Sequence, residues 1–143
     1  MKTIAGHVPL IIGLGCSSAA SADEIVALIA ACLAEVDRDS ASISAFATHI
    51  RKRDSMALAQ AARHYDAPLR FLADGDLAPG VPGTCEAVAT AAGPLLLGKR
   101  KSRYATCAIA ACEPDFVLAA FGQPEGPSAA IAPSTSATSL AGP

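Results

Sequence analysis

The stretch from residue 7 to residue 24, HVPLIIGLGCSSAASADE, decides the fold of this chain of 143 residues. Its first part, residues 7–14, is an apolar run whose Val, Leu and Ile content is typical of a strand buried on both faces. A glycine-rich turn over residues 13–18 is expected next. Ser21 and Glu24 then have the spacing of a capping box, which starts a helix. The stretch therefore predicts strand, turn and helix, the opening of an α/β domain.

Strand-like and helix-like patterns alternate along the rest of the chain. Beyond the first helix, which should end near residue 37, the pattern predicts strands over 41–47, 68–72, 95–97 and 104–111, and helices over 55–65 and 84–92. Residues 98–103 are expected to form a basic turn, and residues 116–121 a further strand or a segment packed along the domain. This order predicts a three-layer α/β sandwich, with helices on the faces of a mixed, mostly parallel central sheet of about five strands.

Composition assigns one domain to residues 1–122 and a flexible tail, rich in Pro, Ser and Ala, to residues 123–143. The net charge of -2 gives no case for nucleic acid or an anionic membrane surface as partner. No apolar run approaches the roughly 20 residues of a spanning helix. The N-terminus also lacks the apolar core of a secretion signal, so a cytoplasmic location is expected.

Metal and cofactor sites are not indicated by the sequence. The five cysteines are odd in number and form no CxxC pair, which argues against both a disulfide framework and a zinc site. The three histidines, His7, His49 and His64, show no metal-ligand spacing. We therefore expect no metal and no cofactor.

The glycine-rich turn is the first candidate binding site. A strand that runs into glycines and a helix N-terminus presents unpaired backbone N–H groups, which suit a carboxylate or a phosphate. The residues concerned are Gly13, Gly15, Cys16, Ser17 and Ser18. The pattern is GxGxxS rather than GxGxxG, which disfavours a dinucleotide-binding fold. A tight turn without any ligand is the alternative.

Basic residues form the second candidate feature. Seven of the 11 Lys and Arg residues fall in two clusters, and either cluster alone would be interpreted as a solvated loop. The clusters are Arg51, Lys52 and Arg53, and Lys99, Arg100, Lys101 and Arg103. In a parallel sheet the first cluster lies at the same edge as the glycine-rich turn, and the second joins them if its strand is also parallel. The ligand would then be large and carry several carboxylates or phosphates.

Catalytic residues are not identified by the sequence, and two weak candidates remain. A helix N-terminus and nearby cations favour the thiolate of Cys16, and His49 is placed by topology as its base. The alternative is that Cys16 is only a small residue tolerated in a tight turn.

Three stretches of the sequence resemble one known family. They are residues 11–18 with 21–25, residues 48–54 with Thr48, Lys52 and Asp54 at matching positions, and residues 81–87 followed by Leu96, Lys99 and 106–110. In this order and spacing they resemble the CobE/CbiG C-terminal domain family of cobalamin biosynthesis over about residues 8–112. Because 143 residues leave no room for the other CbiG domains, the chain most resembles the stand-alone CobE branch.

The resemblance implies a role in building the corrin ring by the aerobic route. The ligand would be a precorrin or a tetrapyrrole of the hydrogenobyrinic-acid type, bound by the residues of the glycine-rich turn together with Thr48, His49, Arg51, Lys52, Lys99 and Arg100. The leading hypothesis is a protein that binds this intermediate or hands it on. The alternatives are a hydrolase-like enzyme acting on a precorrin, as in CbiG, and an interaction module for a pathway methyltransferase.

Overall fold

The computed structural model describes residues 8–125, which contain six strands and three α-helices. The strands are β1 (Leu10–Cys16), β2 (Ile43–His49), β3 (Leu69–Leu72), β4 (Leu95–Lys101), β5 (Ala105–Ala111) and β6 (Gln123–Pro124). The α-helices are α1 (Ala22–Glu35), α2 (Met56–His64) and α3 (Cys85–Thr90). Short 3-10 helices lie at Ser40–Ser42, Ile50–Lys52, Asp74–Asp76 and Leu118–Ala120. No helix within residues 8–125 is long and apolar enough to cross a membrane.

All six strands belong to one mixed sheet with the order β4-β5-β1-β2-β3-β6. Strands β1, β2 and β3 are parallel to one another. Strand β5 is antiparallel to both β1 and β4, so β4 runs in the same direction as β1. The predicted fold class is confirmed, with six strands rather than about five. The sixth strand is the two-residue β6, which pairs antiparallel with β3.

Helices cover both faces of the sheet, as the alternation of side chains along β1 requires. Leu10 and Ile12 share one apolar cluster with residues of α1 and α2. Ile11 points the other way, into a cluster with Val88 of α3 and with Phe121. Because successive strand residues point to opposite faces, one apolar strand supplies the centre of both cores. The result is the predicted three-layer arrangement.

The glycine-rich turn was placed too early in the chain. Strand β1 continues to Cys16, so the strand contains both glycines, and the turn begins at Ser17. Gly13 lies under the first turn of α3, where an added Cβ would be 2.0 Å from the backbone oxygen of Cys85. Close packing of α3 on β1 is therefore the physical reason for a glycine at position 13.

The basic turn over residues 98–103 was also placed wrongly. Residues 98–101 belong to β4, where Arg100 and Lys101 pair with Cys107 and Thr106 of β5. The connection between the two strands spans only residues 102–104. Strand β4 is at the edge of the sheet, where exposed charged side chains are common and hide the strand pattern. Residues 116–121 form no strand. They contain the 3-10 helix Leu118–Ala120 and pack along the domain, the other predicted alternative, with Phe121 in the cluster around Ile11.

Only one of the two hydrogen bonds of the predicted capping box forms at the start of α1. The Ser21 hydroxyl accepts a hydrogen bond from the Glu24 N–H group at 3.1 Å. The Glu24 carboxylate turns instead to the β4–β5 connection, where it accepts hydrogen bonds from the Ser102 hydroxyl and, at 2.6 Å, from the Tyr104 N–H group. The Ser102 hydrogen bond is the main reason that the pKa of Glu24 lies below its ordinary value. Glu24 thus fastens the β4–β5 connection to the first turn of α1.

The predicted tail, residues 123–143, begins at the first residue of β6. Gln123 and Pro124 were assigned to the tail, but they form β6 beside β3. Glu125 lies 4.0 Å from the guanidinium of Arg63 on α2. The rest of the predicted tail, residues 126–143, lies outside the described residues.

Candidate functional site

The carboxyl ends of β1, β2 and β4 meet at one edge of the sheet, because all three strands run in the same direction. A cavity of about 310 Å³ opens there, and we call it the basic cleft. Its lining residues are Leu14, Gly15, Cys16, Thr48, His49, Arg51, Lys52, Gly83, Thr84, Cys85, Lys99 and Thr106. Open α/β sheets bind ligands at this edge, beyond the carboxyl ends of their strands.

A second cavity of about 390 Å³ adjoins the basic cleft, with which it shares Cys16, Arg51 and Lys52. We call it the serine compartment. Its other lining residues are Ser17, Ser18, Ala20, Asp54, Ser55, Met56 and Ala57. The first turn of α2, capped by Ser55, borders this compartment and adds the positive end of a helix dipole.

Positive charge dominates the basic cleft. Arg51, Lys52 and Lys99 line it, and none of its lining residues within 8–125 is acidic. In that part of the chain the ammonium groups of Lys52 and Lys99 form no hydrogen bond or ion pair with another side chain. The Arg51 guanidinium donates one hydrogen bond of 2.8 Å to the backbone oxygen of Gly83. The cleft thus presents cations whose bonding capacity is largely unused.

His49 is buried at the end of β2, and both of its ring nitrogens have partners. Nε2 lies 2.7 Å from a carboxylate oxygen of Asp74, and Nδ1 accepts a hydrogen bond of 3.2 Å from the N–H group of Arg51. The ring packs against Gly83, where an added Cβ would be 2.2 Å from its Cδ2 atom. No ring nitrogen of His49 is therefore directed at Cys16.

Cys16 has a different neighbour from the predicted one. Its Sγ atom lies 3.7 Å from the hydroxyl oxygen of Ser55. Thr48, which lines the cleft beside it, donates its buried hydroxyl to the backbone oxygen of Leu14 at 2.8 Å. The structure thus shows no Cys16–His49 contact of the kind that a thiol and its base require.

The two cavities contain all the predicted ligand-binding residues except Gly13 and Arg100. Gly13 faces α3, as described above. The Arg100 guanidinium pairs with the Glu35 carboxylate of α1 at 3.0 Å, and this contact raises the pKa of Arg100. The second basic cluster is therefore divided, with Lys99 in the cleft and Arg100 against α1.

The backbone donors expected from the turn are partly used within the protein. The Ser17 N–H group donates to the Tyr104 oxygen at 2.9 Å, and the Ser17 hydroxyl accepts from the Ala19 N–H group at 3.2 Å. The Ala20 N–H group donates back to the Ser17 oxygen. Fewer backbone N–H groups of the turn remain for an anion than the sequence suggested. Anion binding therefore depends mainly on the basic side chains. Within residues 8–125 no group of His, Cys, Asp and Glu side chains has a metal-binding arrangement.

Comparison with known proteins identifies the family. The family model described as Cobalamin synthesis G C-terminus matches residues 10–110. The chain belongs to this family. No curated protein sequence matches the chain.

Solved structures from the cobalamin pathway have the same fold. CobE, a protein from the cobalamin (vitamin B12) biosynthetic pathway, is 29% identical over 73% of this chain and 91% of its own, with a TM-score of 0.64. The cobalamin biosynthesis protein chiG from Agrobacterium tumefaciens is 26% identical over 73% of this chain and 98% of its own, with a TM-score of 0.61. The predicted resemblance is thus confirmed, and the chain is a cobalamin-biosynthesis protein.

A larger relative shares the fold alone. The putative cobalamin biosynthesis protein G homolog from Sulfolobus solfataricus is 23% identical over 74% of this chain, with a TM-score of 0.60. The match covers only 37% of that protein. The fold of this family therefore also occurs within a longer chain.

Some residues of the cleft were missed by sequence reasoning. Gly83 and Thr84 lie directly before α3, and Thr106 lies on β5 opposite Gly15. The signal for the first two was present, since the segment after β3 that leads into a helix must lie at the same edge as the other carboxyl ends. Thr106 belonged to the third stretch of the family resemblance, but nothing in the sequence placed it at the site, because its position depends on the register of β5 against β1.

Proposed function

We propose that this protein of the Cobalamin synthesis G C-terminus family binds a polycarboxylate intermediate of corrin synthesis, a precorrin or a hydrogenobyrinic-acid-type tetrapyrrole, and holds it or hands it on. One observation carries the proposal. Arg51, Lys52 and Lys99 come from two distant parts of the sequence and line a single cleft with no acidic lining residue in the described chain. Such intermediates carry many acetate and propionate groups, which are the natural partners of these cations.

The strength of each contact is modest, which favours a ligand with several carboxylates. A carboxylate about 4 Å from an ammonium group gains about 4 kcal/mol at an effective dielectric constant of about 20. Solvent access reduces this figure, and exposed ion pairs contribute only about 0.2–1 kcal/mol. Lys99 is exposed and Lys52 is partly buried. Micromolar affinity therefore requires several such contacts at once, and it should weaken as salt is added.

The dimensions of the site favour a ligand that spans both cavities. Each cavity has the volume of an ordinary small-molecule site, about 300–1,000 Å³. A flat macrocycle exceeds either one alone. Cys16 lies where the cavities join, and its small side chain leaves room for a ring to approach the backbone of β1. The apolar side chain of Met56, which lines the serine compartment, suits the body of the ring rather than its carboxylates.

The test is a titration of the protein with hydrogenobyrinic acid, followed by the absorbance of the pigment. Lys52→Ala and Lys99→Ala should each weaken binding. Arg100→Ala is the matched control, because it removes the same charge one residue away, on the α1 side of the sheet. Equal weakening by all three changes would show only an effect of net charge, and would contradict the assignment of the cleft. Absence of binding at micromolar pigment would overturn the proposal.

Handing on the intermediate requires a protein that receives it, and a corrin-pathway methyltransferase is the proposed recipient. Co-purification of the two proteins in the presence of pigment, with loss of the complex in Lys52→Ala, would support transfer at the cleft. A complex that forms equally well without pigment and with the variant would contradict transfer through this site.

A further inference from the structure

The protonation state of His49 follows from its two neighbours. A backbone N–H group can only donate, so the bond from the Arg51 N–H group requires an unprotonated Nδ1 atom. The remaining proton is then on Nε2, which donates to the Asp74 carboxylate at 2.7 Å. His49 is thereby held as the neutral Nε2–H tautomer. Its own hydrogen-bonding capacity is used up inside the protein, so it has none left for a ligand in the cleft.

His49 holds together three segments, two of which line the basic cleft. Its Nδ1 atom caps the 3-10 helix Ile50–Lys52, which carries the cleft residues Arg51 and Lys52. Its Nε2–H group connects this helix to Asp74, in the loop after β3. Its ring lies against Gly83, whose backbone oxygen accepts from the Arg51 side chain. A single imidazole thus links the 3-10 helix that carries two basic residues to the loop after β3 and to Gly83.

We propose that His49 is a positioning residue, which orients Arg51 and Lys52 for a carboxylate ligand through its Nδ1 cap. This inference rests on the proposed function. It assigns to His49 the role of a fixed acceptor rather than that of a base or a ligand-contacting group. This role depends on the hydrogen bond that His49 accepts from the Arg51 N–H group. A different side chain with an acceptor atom in the same place should therefore perform it as well.

Two substitutions separate the two hydrogen bonds of His49. In His49→Asn the amide oxygen can replace Nδ1 as the cap, because Asn is a favoured capping residue, while the link to Asp74 is lost. In His49→Gln the longer amide can reach Asp74, while the cap on the Arg51 N–H group is lost. His64→Asn is the control, because His64 is an exposed residue of α2.

The experiment measures hydrogenobyrinic acid affinity by absorbance, together with the nitrogen chemical shifts of the His49 ring and amide hydrogen exchange at Arg51. We expect His49→Gln to weaken binding by up to about fivefold, the equivalent of one helix cap. The His49→Asn variant should retain most of the wild-type affinity. Exchange at Arg51 should be faster in His49→Gln than in His49→Asn. Thermal unfolding of each variant shows whether weaker binding comes from loss of the fold or from a changed orientation of Arg51 and Lys52.

The outcomes distinguish this inference from the proposed function. A protonated Nδ1 atom in the wild-type protein, or equal exchange at Arg51 in both variants, would overturn the role of His49 whether or not pigment binds. Pigment binding that His49→Gln leaves unchanged would overturn it as well. The nitrogen chemical shifts of the His49 ring and the exchange rates at Arg51 could be as expected while the wild-type protein binds no pigment. In that case the proposed function fails, and so does the proposal that His49 orients Arg51 and Lys52 for a carboxylate ligand.

Discussion

Replacing Gly13 by Ala should destabilise the protein, because α3 packs directly on the backbone of β1 at this position. The added Cβ would lie 2.0 Å from the backbone oxygen of Cys85 and 3.1 Å from the Cβ of Ala89. Real Cβ atoms essentially never approach a heavy atom below 3.0 Å, so the first turn of α3 would have to recede by the difference. The backbone of Gly13 does not have a positive φ, so the effect is one of space alone.

The expected cost follows from overpacking. Inserting a methyl group into a well-packed core typically costs about 1–3 kcal/mol. Replacing a glycine also reduces the entropy of the unfolded chain, which returns about 0.4–1 kcal/mol. A net loss of roughly 1–2 kcal/mol is therefore expected, or a fall in Tm of several degrees for a chain of this size. Since Thr84 and Cys85 line the basic cleft, the same displacement should also weaken pigment binding.

Urea unfolding followed by circular dichroism measures the effect, with Gly75→Ala as the matched control. An added Cβ at Gly75 meets no atom within 4 Å, so this change should be neutral or slightly stabilising. Equal stability of Gly13→Ala and Gly75→Ala would contradict a steric conflict between residue 13 and α3. A stable Gly13→Ala variant would mean that α3 does not lie against β1 as described.

Two further predictions concern acid stability and thiol reactivity. The Ser102 hydrogen bond lowers the pKa of Glu24 below its ordinary value of 4.5, so Glu24 stabilises the fold above that value, and this contribution is lost as the pH falls through the lowered pKa. The free energy of unfolding should therefore fall less between neutral and acidic pH in Glu24→Gln than in the wild-type protein. An equal fall in both would contradict the hydrogen bond between Glu24 and Ser102. Alkylation followed by mass spectrometry should label Cys16 and Cys112 before Cys107, because Cys107 is buried while the other two are partly exposed, and the contact with Cys32 together with burial raises the pKa of Cys107. Bound pigment should slow labelling of Cys16 but not of Cys112, at the opposite edge of the sheet, and equal protection of both would argue against the cleft.

Local signals in the sequence were sufficient for the order of elements and for much of the site. Ser21 was recognised as the cap of α1 from the capping-box spacing, and α2 begins next to residue 55, where the pattern predicted its start. The convergence of Lys52 and the glycine-containing strand followed from a general rule of parallel sheets. The same rule extended to Lys99, because β4 has the direction of β1 although β5 lies between them.

The features that sequence reasoning missed depend on contacts between distant residues. Gly13 was interpreted as part of a turn, since its role in admitting α3 depends on a segment about 70 residues later in the chain. Arg100 was assigned to the ligand, because nothing in the sequence indicates its pairing with Glu35. The short strand β6 contains a proline at the sheet edge and has no alternating pattern to mark it.

His49 shows the same limit for the site. Topology placed it correctly beside the basic residues, and the family resemblance included it in a motif. Its function as a cap depends on the orientation of one ring, which is fixed by Asp74 and Gly83 from another loop. Such an orientation is a property of the packed structure and has no signature in local sequence.

A crystal structure of the protein with hydrogenobyrinic acid bound would test most directly whether the basic cleft holds the pigment. We expect the pigment at the carboxyl ends of β1, β2 and β4, with its carboxylates within hydrogen-bonding distance of Lys52 and Lys99 and its ring beside Cys16. Pigment bound instead in the apolar cavity at the opposite edge, which is lined by Pro9, Cys112 and Phe116 among others, would rule out the basic cleft as the binding site.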